Sequence, residues 1–129
     1  MEIQEVKTGK APAPVGPYSQ AIKAGEFIFC SGQIALDPET GELINPDIET
    51  ETIKVMENLK AVLDAAGSSF DMVVKTTIFV RDMNDFGRVN NVYSSFFSTL
   101  SPPARATVQV AALPKGAGVE IECIALINS

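Results

Sequence analysis

The stretch Ser101–Leu126, SPPARATVQVAALPKGAGVEIECIAL, sets one arginine and two glutamates among residues that otherwise alternate as buried strands do. Successive side chains of a strand fall on opposite faces. In Ala104–Val110 that count puts Ala106, Val108 and Val110 on an apolar face and Arg105, Thr107 and Gln109 on a polar one. In Val119–Ile127 it puts Val119, Ile121, Cys123 and Ile127 on one side and Glu120, Glu122, Ile124 and Leu126 on the other. Pro102-Pro103 excludes helix at the entry, and Leu113-Pro114-Lys115-Gly116 with Gly118 makes the connection a loop. The expectation is strand, loop, strand with the polar groups clustered.

Arg105 fits two readings. One is a solvated ion-pair face. The other follows from its place after Pro-Pro-Ala in an apolar run, where a guanidinium is costly to bury without an anion. A guanidinium fork binds a carboxylate through two parallel hydrogen bonds, so a small carboxylic acid is a natural ligand. In a simple hairpin about the Ala111–Gly118 loop, however, Arg105 would oppose a residue nearer Ile124 than Glu120. Bringing the two together requires a shifted register or a strand from another subunit.

Upstream, Met1–Val6 reads as a first strand, and Lys10–Tyr18, KAPAPVGPY, as an extended segment stiffened by three prolines. Tyr18 follows a rigid turn, either as an aromatic packed at an edge or as a lid on a pocket. Ser19–Ala24 and Glu26–Leu36 are strands, the second apolar enough to be central. Gly32 interrupts it, which marks a bulge or a close approach to the backbone and makes Ser31-Gly32 a candidate pocket wall.

From Asn45 the period turns helical: Ile48, Thr52, Val55, Met56, Leu59, Val62, Leu63 and Ala66 form a stripe, with Glu49, Glu51, Lys54, Glu57 and Lys60 outside it. Asn45-Pro46 supplies the expected cap and Gly67 the stop. Met72–Arg81 is a strand. Phe86, Val89, Tyr93, Phe96 and Phe97 define a second helix ending before Leu100. Asn90 borders that stripe and reads first as a cap on local backbone, second as a group facing a ligand. The order predicts one α+β domain over residues 1–129, its sheet backed on one face by both helices. The open face carries Phe, Ile, Val and Leu and is expected to be covered in a homo-oligomer.

Composition narrows the chemistry. A 129-residue chain with 46% hydrophobic and 20% charged residues is a compact globular protein, and no apolar run is long enough to span a bilayer. The N-terminus lacks a secretory pattern, so a cytoplasmic protein is expected. A net charge of −6 argues against nucleic acid as a partner. Zero histidines remove Ser-His and Cys-His nucleophile pairs and His-ligated zinc. No glycine-rich phosphate loop appears, and Cys30 and Cys123 read as buried thiols rather than metal ligands, so no cofactor or metal is expected.

The sequence resembles the RidA (YjgF) family over essentially its full length. The resemblance rests on Ala13-Pro14-Val15-Gly16-Pro17-Tyr18-Ser19-Gln20, Ser31-Gly32-Gln33, Asn58-Leu59-Lys60-Ala61-Val62-Leu63, Val89-Asn90, Pro103-Ala104-Arg105 and Leu113-Pro114-Lys115 with Glu120-Ile121-Glu122. It implies a chorismate-mutase-like fold, a homotrimer with clefts between subunits, and hydrolysis of reactive enamines and imines such as 2-aminoacrylate and 2-iminobutanoate to 2-oxo acids and ammonia. Carried over by position, Arg105 clamps the substrate carboxylate, Glu120 positions or deprotonates the attacking water, and Tyr18, Ser31, Gly32, Asn90 and Thr107 line the cleft. Thr107 stands where the best-known members carry cysteine. Threonine suffices there if the position acts through its backbone N–H, and fails if a thiol is needed. An endoribonuclease or translation inhibitor, and a regulator that binds small carboxylates without turnover, are the rival readings.

Overall fold

The computed structural model describes residues 2–97 and 101–128. Met1, the expected start of the first strand, and residues 98–100, before which the second helix was expected to stop, lie outside them. Six strands form one sheet: β1 (Ile3–Val6), β2 (Ala21–Ala24), β3 (Phe27–Gln33), β4 (Val73–Val80), β5 (Ala104–Gln109) and β6 (Val119–Leu126). Their spatial order is β1-β2-β3-β6-β4-β5. Every neighbouring pair is antiparallel except β4 and β5, which run parallel. A parallel pair needs a crossover, and helix α2 (Phe86–Ser95) supplies it. The sheet is mixed, as the resemblance implies, and β5 and β6 do not form a simple hairpin, because β4 lies between them.

Helix α1 (Ile48–Ala65) lays Val55, Met56, Leu59, Val62 and Leu63 on the sheet, all fully buried. Each such side chain removed from water contributes about 1.5–3 kcal/mol. Ile28, Ile78, Val80, Val119, Ile121 and Ala125 meet them from the strands. The helix is capped two residues later than Asn45, the cap the sequence suggests. Asp47 accepts from the backbone N–H of Thr50 at 2.7 Å, which holds its carboxyl below the ordinary carboxylate range. At the other end Gly67 takes φ 79°, its N–H donates to Asp64 O and that of Ser68 to Leu63 O, a Schellman close.

Cys30 and Cys123 are register partners on the helix-backed face, both buried as thiols, and their mutual hydrogen bond, with burial after it, drives the Cys123 thiol far up from its ordinary value. No described helix is long and apolar enough to cross a membrane. The opposite sheet face is open: Phe27, Phe29 and Val108 are large apolar groups left exposed on it, with Ile124 and Leu126 half-buried beside them.

Candidate active site

The central strand β6 begins at a fixed point. The N–H of Gly118 donates to Glu51 Oε2 at 2.7 Å, and a Cβ on Gly118 would come within 3.0 Å of Glu51 Oε1. Glu51, placed outside the helical stripe by the sequence reading, is only 4% exposed. Burial pushes its carboxyl up, against backbone hydrogen bonds that favour the ionised form. From this anchor strand alternation turns Val119 and Ile121 to the helices and Glu120 and Glu122 to the open face.

Across from Glu120, β3 is irregular between Cys30 and Gln33. Gly32 sits in that bulge, and a Cβ there would lie 2.1 Å from Glu120 Oε2 and 2.9 Å from its Cδ. Only glycine lets the carboxylate rest where it does. Ser31 Oγ donates to Ser19 O at 2.6 Å. The buried amide of Gln20 donates to the carbonyls of Thr8, Ala11 and Pro12 and accepts from the Thr8 N–H, tying the proline-rich segment to β2. That segment ends in a tight turn, Tyr18 N–H to Gly16 O at 2.8 Å, leaving the Tyr18 ring 50% exposed at the rim.

The result is a hollow of about 440 Å³ lined by Tyr18, Ser31, Gly32, Lys115, Glu120 and Glu122 among others. Burial, and after it the neighbouring carboxylate of Glu122, push the Glu120 carboxyl above its ordinary value. Lys115 enters the hollow from a turn in which it and Gly116 both have positive φ, 58° and 72°. For an L side chain that conformation costs roughly 1–2 kcal/mol.

Arg105 belongs to a different place. Its register partner is Thr76, whose side chain faces the helices, so Arg105 lies under α2 at the sheet edge. Nη1 donates to Asn90 Oδ1 at 2.6 Å. The guanidinium carbon stands 5.3 Å from the Phe86 ring centroid and 5.2 Å from that of Tyr93, within cation–π range. Tyr93 is held in turn by a 2.8 Å hydrogen bond between its hydroxyl and Thr76 Oγ1, and burial pushes its phenol up. A second hollow, of about 500 Å³, runs past Tyr93, Ser94, Phe97, Pro102, Pro103 and Arg105. Arg105 makes no ion pair with a described residue. Thr107 follows two residues on along β5, half-buried on the same face.

The fold therefore brings Tyr18, Ser31, Gly32 and Glu120 together, and separately Asn90, Arg105 and Thr107. It does not bring Arg105 to Glu120: they occupy opposite faces with β4 between them, which corrects the expected clustering. Asn90 reaches Arg105 rather than local backbone. The sequence reading missed Gln20, Phe86, Tyr93 and Glu51. Glu51 had a signal, since it stands three residues after Ile48 and four before Val55, inside the buried stripe. No group of three or more His, Cys, Asp or Glu among the described residues could hold a metal ion.

Residues 8–127 match the family described as Endoribonuclease L-PSP. A mouse protein named 2-iminobutanoate/2-iminopropanoate deaminase is 50% identical over 121 residues, covering 94% of this chain and 89% of its own. The crystal structure of a Rid family protein of Yersinia pestis superimposes with a TM-score of 0.95 at 47% identity, covering 98% of this chain and 100% of that one. That of E. coli TdcF with bound serine does so with a TM-score of 0.92 at 41% identity, over 97% and 99%. With the six-stranded sheet and two helices already described, these matches place the chain in the endoribonuclease L-PSP family, the RidA family that its motifs resemble.

Proposed function

We propose that the chain hydrolyses small 2-imino acids, and the enamines that tautomerise to them, to 2-oxo acids and ammonia. The observation that carries this reading is the Glu120 carboxylate, seated against Gly32 in a hollow and held above its ordinary value. A carboxylate so placed is a better proton acceptor than one in water. The name of the mouse relative supports the substrate class, and the serine bound to E. coli TdcF supports a ligand of that size carrying a carboxylate.

An iminium carbon is already electrophilic, so the protein has to supply orientation and proton transfer. Water attacks that carbon as Glu120 takes its proton, giving a carbinolamine. Glu120 returns the proton to nitrogen, then takes the hydroxyl proton as the C–N bond breaks, so that ammonia leaves a 2-oxo acid behind and carries the last proton away as ammonium. Arg105, steadied by Asn90 and the Phe86 and Tyr93 rings, anchors the substrate carboxylate. The Thr107 backbone N–H is directed to the reacting end, Ser31 and Gly32 form the wall, and Tyr18 covers the mouth.

Arg105 and Glu120 act on one small molecule only if two chains share the site. The proposed assembly is a homotrimer in which the β5 edge of one subunit meets the Glu120 hollow of the next, covering Phe27, Phe29 and Val108. Light scattering should give a solution mass of three times 13.8 kDa. A monodisperse monomer that still turns over imine would refute the shared cleft.

The direct test is 2-oxobutanoate release while a threonine dehydratase generates 2-iminobutanoate in place. Wild type should accelerate release. Arg105→Ala should raise KM about 10- to 100-fold through loss of a charged hydrogen-bonding anchor. No acceleration by wild type, with 2-oxobutanoate still bound through Arg105, would identify a carboxylate-binding regulator instead.

A further inference from the structure

We infer that Lys115 is a second carboxylate-recognising cation, one that draws small carboxylates to the mouth of the Glu120 hollow. The inference rests on the function proposed above and adds to it a residue outside the Arg105 group. Pro114–Ala117 forms a tight turn closed by the Ala117 N–H on Pro114 O at 3.1 Å, with Lys115 at φ 58°, ψ 21° and Gly116 at φ 72°. Two consecutive positive φ values make this a type I′ turn, whose first central position favours asparagine or glycine. Among the described residues Lys115 is the only non-glycine with positive φ. A side chain kept against local preference needs a compensating role.

The surroundings say which. Lys115 is exposed, and its ammonium makes no ion pair with a described residue, so it holds nothing together. It lines the hollow that contains Glu120 and Glu122, and no other lining residue is basic. A carboxylate approaching two glutamates on a chain of net charge −6 meets an unfavourable field. Within one chain Arg105 gives no relief there, because it lies on the other face of the sheet. Lys115 offsets part of that field where the ligand enters.

The test is titration of the full chain with 2-oxobutanoate by calorimetry at low and at high salt. Lys115→Asn should weaken binding about 3- to 5-fold at low salt, the range of an exposed ion pair, and should flatten the salt dependence. Lys115→Arg should keep both. Because asparagine suits the left-handed turn, Lys115→Asn should also raise Tm by roughly 3–5 °C, which separates lost recognition from lost folding. An unchanged low-salt affinity in Lys115→Asn, with binding still lost in Arg105→Ala, overturns the inference and leaves the proposed function standing. Absence of 2-oxobutanoate binding by wild type overturns both.

Discussion

The Glu120 hollow and the Arg105 ledge hold their charged groups by opposite means. Glu120 is half-buried, pressed against a glycine backbone, with a second carboxylate two residues away, so its surroundings work against its charge. Arg105 is exposed at an edge strand, flanked by two aromatic faces and an amide oxygen, so its surroundings favour its charge and fix its direction. The first arrangement suits a group that must change protonation, the second a group that must never change it. One sheet offers both because the β3 bulge and the proline-rich segment wall in Glu120 on the open face, while Arg105 stands at the uncovered edge of the helix-backed face.

The sharpest way to break the comparison is to remove the proton acceptor. Glu120→Gln keeps shape and lining but cannot take a proton, and should lower kcat about 10²- to 10⁴-fold with 2-oxobutanoate affinity nearly unchanged. If Arg105 were the main contributor to rate, this variant would instead keep most of its turnover. A smaller effect is expected from Gly32→Ala, whose methyl would occupy the space of Glu120 Oε2 and drive the carboxylate aside. Activity should drop roughly 10-fold, as for a catalytic group displaced by a fraction of an ångström. In the Glu120→Asp background Gly32→Ala should cost much less than it does in wild type, because the shorter side chain withdraws from the added methyl. Strictly additive losses would mean that Gly32 does not act through Glu120.

Much of this contrast was legible in the sequence, for a physical reason. Alternation along β6 and the helical stripe from Ile48 to Ala66 are period signals, and a buried face imposes them. Gly32 also announced itself, as bulge and as close approach, because no other residue relieves both. Strand order was not legible. Nothing local in Arg105 or Glu120 states that β4 enters between their strands, since pairing is settled by the whole sheet. A simple hairpin of β5 and β6 is therefore absent. Gln20 was hidden differently: it looks like a surface polar residue until the backbone groups it must satisfy, those of Thr8, Ala11 and Pro12, are placed around it, whereas the spacing of Glu51 marks it as buried without naming Gly118 as its partner.

The finest test separates the two causes acting on Glu120. Burial is the larger and Glu122 the lesser, and both raise the carboxyl. The groups facing it in the hollow are Glu122 on its own strand, Lys115 from the preceding turn and Tyr18 from the proline-rich segment. A base works when deprotonated, so a raised value places the acid limb of the kcat/KM profile above the ordinary carboxylate range. Glu122→Gln removes only the lesser cause. The limb should therefore move to lower pH while staying above that of a carboxylate in water. Stability follows the same sign: a carboxyl raised in the folded state contributes its stability below the unfolded value, and loses it as pH rises through the folded one. Relative to wild type, Glu122→Gln should thus gain most in Tm above the Glu120 titration and least below it. A limb that does not move, with Tm differences independent of pH, would show that the Glu120 carboxyl is governed by burial alone and that Glu122 serves the open face in some other way.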